Sequence, residues 1–172
     1  VHAVMQQVAL DDPSRGLGTL VDVAAEAEGV LDRRHDIEAM VHSLLRGQLF
    51  SRMQAAPKCR REMYVGAQFD DVTVWGYVDA VFAKPDGTLA LVDFKTDTLV
   101  TSPAELAHRY RPQISAYVAA LQQATRVTVS EAWLSVAQPD GAAAVEIPID
   151  VLDAPSLLAL LGRARVEPRV VA

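Results

Sequence analysis

At 172 residues and 51% hydrophobic content, the chain can bury the core of one domain and is too apolar to stay disordered. Its one cysteine, Cys59, excludes a disulfide framework, a four-cysteine zinc site and a cysteine-held iron–sulfur cluster. No stretch has the length of a membrane span or the pattern of a signal peptide, so a cytoplasmic protein is expected. Twenty-two acidic against sixteen basic residues, net charge -6, do not describe a free-standing nucleic-acid binder, and any such binding must be local or helped by a partner.

The first residue is Val rather than Met, and the chain is expected to be one domain, residues 1–172, cut from a longer polypeptide. Residues 1–10 carry Val1, Val4, Met5 and Val8 at helical spacing, stopped by Asp11-Asp12-Pro13. After a loop at Gly16 to Gly18, residues 20–27 predict a short alanine-rich helix. Asp36 is expected to cap a helix over 37–50, striped by Ile37, Met40, Val41, Leu44 and Leu45. The period then changes, and residues 60–69 predict a strand ended by an Asp70-Asp71 turn.

Residues 74–96 predict a hairpin, with two apolar runs flanking Pro85-Asp86-Gly87. That sequence suits a type I turn with Gly87 left-handed, in a three-residue loop. If Lys84 pairs with Thr88, Val81 faces Leu91 and Asp79 faces Asp93, their Cβ atoms roughly 5 Å apart. Lys95 shares the Asp93 face. Val81, Leu89 and Leu91 are expected on one face, and Val78, Phe82, Val92 and Phe94 on the other, as in a central pair buried on both sides. Two carboxylates opposed in such a place repel and lose hydration, so a hard divalent cation between them, with the Lys95 ammonium alongside, is the reading favoured here. The bland alternative puts Asp79 and Asp93 at strand ends in solvent, with Lys95 in a surface ion pair. A two-residue Asp-Gly turn would instead send the carboxylates to opposite faces.

Beyond the hairpin, Ser102-Pro103-Ala104-Glu105 predicts a capping box opening a helix to about residue 124, kinked or restarted at Pro112. Residues 127–137 and 143–149 predict strands, and 154–165 a last helix. The order gives an α/β domain with a mixed central sheet flanked by helices and a helical N-terminal part. No phosphate-binding G-x-x-x-x-G-K-[ST] loop is present.

The motifs Gly76-Tyr77-Val78-Asp79, Val92-Asp93-Phe94-Lys95-Thr96 and Gln113-x-x-x-Tyr117, with His2 on a leading helix and Glu62 on the first strand, resemble the RecB-type branch of the PD-(D/E)xK nuclease superfamily. The likeness is to the nuclease domain at the C-terminus of UvrD/RecB-like, AddAB-type bacterial helicase-nucleases, and it covers residues 2 to about 137. It implies a restriction-endonuclease-like core, with Mg2+ or Mn2+ held by His2, Asp79, Asp93 and the Phe94 carbonyl. It further implies that Lys95 acts on the attacking water, that Glu62 faces the same cleft, and that Gln113 and Tyr117 form its rim. Arg109, Arg111 and Tyr117 would then meet DNA. The implied activity is metal-dependent hydrolysis of DNA, exonucleolytic on single-stranded ends supplied by a helicase motor, in recombination and repair. The alternative function is a catalytically silent DNA-docking or scaffold module of a helicase.

Other residues have ordinary explanations: Trp75 and Trp133 as core or sheet-edge packing, Cys59 as a small, partly buried side chain, and His35, His42 and His108 as surface residues. Asp97 is expected to end a strand, with a second metal as the alternative.

Overall fold

The structure is a computed structural model that describes residues 1–69, 71–96 and 102–164, the last two without their side chains. Asp70, Asp97 and residue 165, all part of the expectations above, lie outside the described residues.

Five strands form one mixed sheet in the order β1 (Cys59–Phe69), β2 (Val72–Ala83), β3 (Leu89–Lys95), β4 (Val129–Val136) and β5 (Val145–Pro148). Among the described strands only β3 and β4 are parallel, joined by a crossover through α5 (Pro103–Thr125). On one face lie α1 (His2–Gln7), α2 (Leu17–Ala27), α3 (Arg34–Leu45) and α4 (Gln48–Ala55). Their Val4, Met5, Val21, Leu44, Leu49 and Met53 pack with Phe82, Val92 and Phe94. On the other face α5 and α6 (Ala154–Ala164) bring Ile114, Leu121 and Leu157 against Val81, Leu91 and Leu134. No helix among the described residues is long and apolar enough to cross a membrane.

The β2–β3 turn forms as its residues dictate. Gly87 takes φ 82 and its N–H donates to the Lys84 carbonyl at 3.0 Å, while the Lys84 N–H donates to the Thr88 carbonyl at 2.8 Å. Backbone pairing then runs Ala83 with Leu89, Val81 with Leu91 and Ala80 with Val92, the expected register.

The faces depart from expectation at one point. Val78 packs with Val81 and Leu91 on the α5 side, whereas Ala80 and Phe82 lie on the N-terminal side, so the alternation of β2 slips between Val78 and Val81. Strand β1 slips at the same level: Arg61 reaches the N-terminal helices while Met63 and Val65 join the α5 side. Glu62, between them, has φ 49, a left-handed backbone that permits the slip. Beyond this point the β1–β2 pair is buried on its α5 face alone.

Three helix expectations change. The stretch over 37–50 is two helices separated at Gly47, because the Glu146 carboxylate of β5 accepts the Leu49 N–H at 2.6 Å and so caps a fresh N-terminus. Asp36 sits inside the first turn of α3, bound by Arg33 at 3.0 Å, and is not its cap. Helix α5 passes through Pro112 as a single helix. Its capping box is complete, with Glu105 N–H donating to Ser102 Oγ and Ser102 N–H to Glu105 Oε2.

Candidate active site

The site lies where β2 and β3 part. One step past the Ala80–Val92 pair, Asp79 Oδ2 takes the place of a main-chain acceptor and receives the Phe94 N–H at 2.7 Å. Asp93, 3% exposed, sits on the neighbouring strand. Lys95 Nζ touches Asp93 Oδ2 at 2.5 Å and lies 4.2 Å from the centre of the Tyr110 ring on α5. A largely buried ammonium is thus held between a carboxylate and an aromatic face.

His2 arrives from the other direction. The Arg61 guanidinium of β1 donates to the Met5 and Val8 carbonyls at 2.8 and 2.6 Å, tying the end of α1 to the sheet. That anchorage brings His2 Nε2 to 3.0 Å from the Phe94 carbonyl and 3.6 Å from Asp79 Oδ2, with the imidazole 45% exposed. A cavity of about 340 Å3 borders this side, walled by Val30, Arg33, Ile37, Met40 and Thr96 as well as His2.

Electrostatics here follow from burial. Loss of hydration and the neighbouring Asp93 charge push Asp79 up to about 6, with Glu62 adding to the rise and His2 and the Phe94 N–H opposing it. Burial also raises Asp93 above the usual carboxylate range, although Lys95 pulls it down. For Lys95, burial alone would favour the neutral amine, but the charge and hydrogen bond of Asp93 outweigh it, so the group is held as ammonium.

Among the described residues no three His, Cys, Asp or Glu side chains are gathered into a ready-made metal cage. The donor set nonetheless fits a hard cation. Around a cation with bonds of about 2.1 Å, adjacent donors lie about 3 Å apart. The Phe94 carbonyl and Asp79 Oδ2, at 3.0 and 3.6 Å from His2 Nε2, are close to that spacing. Asp93 Oδ2 is shielded from solvent, with the Lys95 ammonium at 2.5 Å as its close partner among the described residues.

The residues expected at the rim, Gln113 and Tyr117, lie on α5. Gln113 Nε2 donates to Tyr117 Oη at 3.2 Å, and the Tyr117 ring lies over Gly76, where a Cβ would come within 2.7 Å of its hydroxyl. Glu62 reaches Asp79 electrostatically, from the strand opposite. Arg109 is exposed on the helix. Arg111 is not brought to the cleft: it projects from the other side of α5 and binds the Asp150 carbonyl and carboxylate. Tyr110 carries no expected role from the sequence, although Tyr110, Gln113 and Tyr117 follow the i, i+3, i+7 stripe of one helix face.

The expected packing role of Trp75 is not seen, since it is 67% exposed. Trp133 is half-buried, its indole N–H donating to Glu131 at 3.0 Å. His35 and His108 are exposed as expected, His42 is half-buried, and Cys59 is partly buried with its thiol pushed up by desolvation.

Over residues 1–163 the chain matches the family described as the PD-(D/E)XK nuclease superfamily. It is 42% identical over 77 residues to a subunit of the ATP-dependent helicase/nuclease of Desulforudis audaxviator, a stretch covering 42% of this chain and 6% of that protein. It is 28% identical over 160 residues to the protein of the same name from Bacillus cereus, covering 78% of this chain and 13% of that one. The chain therefore spans a small fraction of the length of these relatives. Among solved structures, a candidate exonuclease from Eubacterium rectale superposes with a TM-score of 0.51 at 12% identity, over 87% of this chain and 64% of that one. SSO0001 gives 0.50 at 17% identity, over 86% and 71%, and both likenesses are of fold. The family match takes in the sheet from β1 to β5 and the helices on both of its faces, and the chain belongs to the PD-(D/E)XK nuclease superfamily.

Proposed function

We propose that the chain is a Mg2+- or Mn2+-dependent deoxyribonuclease acting exonucleolytically on a single-stranded end. The strand would be delivered by a UvrD/RecB-like helicase motor in the same or a partner polypeptide, in cytoplasmic DNA repair and recombination. The observation that carries the reading is the meeting of a buried and a half-buried carboxylate, an imidazole, a main-chain carbonyl and an ammonium where β2 and β3 separate. The two bacterial relatives, both named as helicase/nuclease subunits, support the helicase and the DNA substrate.

His2, Asp79, Asp93 and the Phe94 carbonyl would hold the cation, which supplies Lewis acidity at a phosphoryl oxygen and acidifies water. The protein's own groups do the rest. Lys95, fixed as ammonium by Asp93 and Tyr110, presents positive charge where negative charge builds on the phosphorus-bound oxygens. The Phe94 N–H holds Asp79 Oδ2 in place and so orients the carboxylate that would face the cation. Gln113 and Tyr117 offer amide and phenol hydrogens to a phosphate at the rim, and Arg109 an exposed guanidinium to the next one.

End-labelled oligonucleotides incubated with Mg2+, Mn2+ or EDTA test the proposal. Expected is metal-dependent shortening from an end, abolished by Asp79→Ala, Asp93→Ala or Lys95→Ala in variants that stay folded by circular dichroism. Cleavage surviving any of these, or surviving EDTA, would refute it. No heat of cation binding in calorimetry, with DNA still bound, would favour the silent docking module.

A further inference from the structure

Past the slip at Glu62 and Asp79, β1 and β2 present a face that no helix of the described residues covers. It carries Tyr64, Gly66 and Gln68 from β1 and Thr73, Trp75 and Tyr77 from β2, all exposed and alternating with buried or half-buried neighbours on the α5 side. Tyr64 is paired with Tyr77 and Gly66 with Trp75. The two tyrosine rings meet edge to face, centroids 5.5 Å apart at 66°. Tyr64, Trp75 and Tyr77 are 59%, 67% and 57% exposed. The other exposed large apolar side chains among the described residues, Val23, Leu31 and Leu160, stand singly on separate helical segments.

We propose that this face is a stacking platform for the unpaired bases of the strand whose phosphate is cut at Asp79, Asp93 and Lys95. The proposal rests on the nuclease reading and adds to it a physical basis for preferring a single strand over a duplex. Three observations choose nucleobases as the occupant. The first is continuity: the Tyr64–Tyr77 pair is the next row after Glu62 and Asp79, and Gly66–Trp75 the row after that. Rows on one strand face are about 6.8 Å apart, about twice the 3.4 Å rise per nucleotide of a strand in duplex DNA, so a strand drawn out from the site meets about one row per base.

The second is composition. The face offers aromatic planes separated by Gly66 and flanked by Gln68 and Thr73, with no aliphatic side chain to form a protein-like core. Stacking on such planes is tolerant of sequence. The third is charge. With a net charge of -6, long-range attraction for a polyanion is weak, so affinity has to come from contacts that do not depend on it. Bases stacked inside a duplex cannot reach the rings.

The test uses the 172-residue chain in EDTA, so that binding is measured without cleavage. In a Trp133→Phe background Trp75 is the sole tryptophan. Its emission is expected to be quenched by oligothymidylate and oligoadenylate, and not by a blunt hairpin duplex at the same concentration. Anisotropy of a labelled oligothymidylate should weaken on the order of tenfold for Trp75→Ala and for Tyr77→Ala, with Trp75→Phe close to wild type. Unchanged emission, alanine variants that bind normally, or equal quenching by duplex would overturn the platform. So would shielding of Trp75 from iodide at high protein concentration without nucleic acid, which would assign the face to self-association. Metal-dependent cleavage assayed separately keeps the two proposals apart: normal cleavage with a silent Trp75 sinks the platform alone, and quenching without cleavage sinks the nuclease reading alone.

Discussion

Asp79 accepts the main-chain N–H of Phe94 at 2.7 Å, one step beyond the last backbone pair of β2 and β3. The bond holds the strands together where their ladder ends, yet it does not make the charged carboxylate comfortable. Burial and Asp93 raise Asp79 to about 6, so between its unfolded value of 3.8 and about 6 the folded chain keeps a proton that the unfolded chain has lost. Metal-free stability should therefore fall as pH rises through that window, by up to about 3 kcal/mol from this group. Asp79→Asn, whose amide oxygen can still accept the Phe94 N–H, should melt higher than wild type in EDTA above pH 6 and like it near pH 4. Adding Mn2+ should raise the wild type more than the variant. Thermal denaturation across pH 4 to 8 checks this, and superimposable curves would contradict it.

Lys95 is the counter-charge of a buried pair, its side chain 15% exposed and that of Asp93 4%. Removing one member leaves the other without compensation, so Lys95→Met should cost about 3 kcal/mol near pH 8. The double variant Lys95→Met with Asp93→Asn should regain much of that loss, because neither charge is left. The ring under the ammonium is separable: Tyr110→Phe keeps the aromatic face, whereas Tyr110→Leu should lose about 1 kcal/mol. Urea unfolding of the four proteins decides it, and a Leu variant as stable as the Phe variant would remove Tyr110 from the account.

Much of this geometry was legible in the sequence because it is local. Pro85-Asp86-Gly87 sets the turn, the turn sets the register, and the register brings Asp79 to the end of the β2–β3 ladder, where it meets the Phe94 N–H. The capping box at Ser102 and the Gln113–Tyr117 spacing depend on near neighbours in the same way. What escaped depends on distant partners. Gly47 starts a new helix because Glu146, 97 residues beyond Leu49 in sequence, supplies its cap. Arg111 turns from the cleft because Asp150 holds it. Val78 changes face because Glu62, on the adjoining strand, adopts a left-handed backbone that no residue preference announces. Tyr110 shared the helix stripe of Gln113 and Tyr117, but its ring gains significance only once Lys95 is laid across it.

Away from the site, Glu131 gathers Lys84, Arg52 and the Trp133 indole, at 2.7, 2.6 and 3.0 Å. The Lys84 hydrogen bond foremost, with those from Arg52 and Trp133, outweighs burial and holds its carboxyl at about 2 instead of 4.5. The sign is opposite to that of Asp79: the stabilisation is present above pH 4.5 and lost as pH falls toward 2. Glu131→Gln should accordingly lower the melting temperature by a few degrees at pH 7 and leave it unchanged near pH 2. A difference that persists at the acid end would mean that packing rather than charge is lost.

Gly76 bears on the proposed rim of the site through what it lacks. Its missing Cβ leaves room for Tyr117, whose hydroxyl, Cε1 and Cζ would lie 2.7, 2.8 and 3.0 Å from an added methyl. Gly76→Ala must push the ring aside, and the ring carries the hydroxyl that Gln113 holds. Because the obstruction is the far end of one side chain, the fold should absorb it at about 1 kcal/mol, while cleavage, if Tyr117 serves the rim, should fall on the order of tenfold. Tyr117→Leu should show a similar fall in cleavage by itself, and adding Gly76→Ala to it should cost little more, since the ring that clashed is gone. Independent, multiplying losses in the double variant would break the link between the glycine and the tyrosine, whereas sub-additive losses in both melting temperature and kcat/KM would establish it.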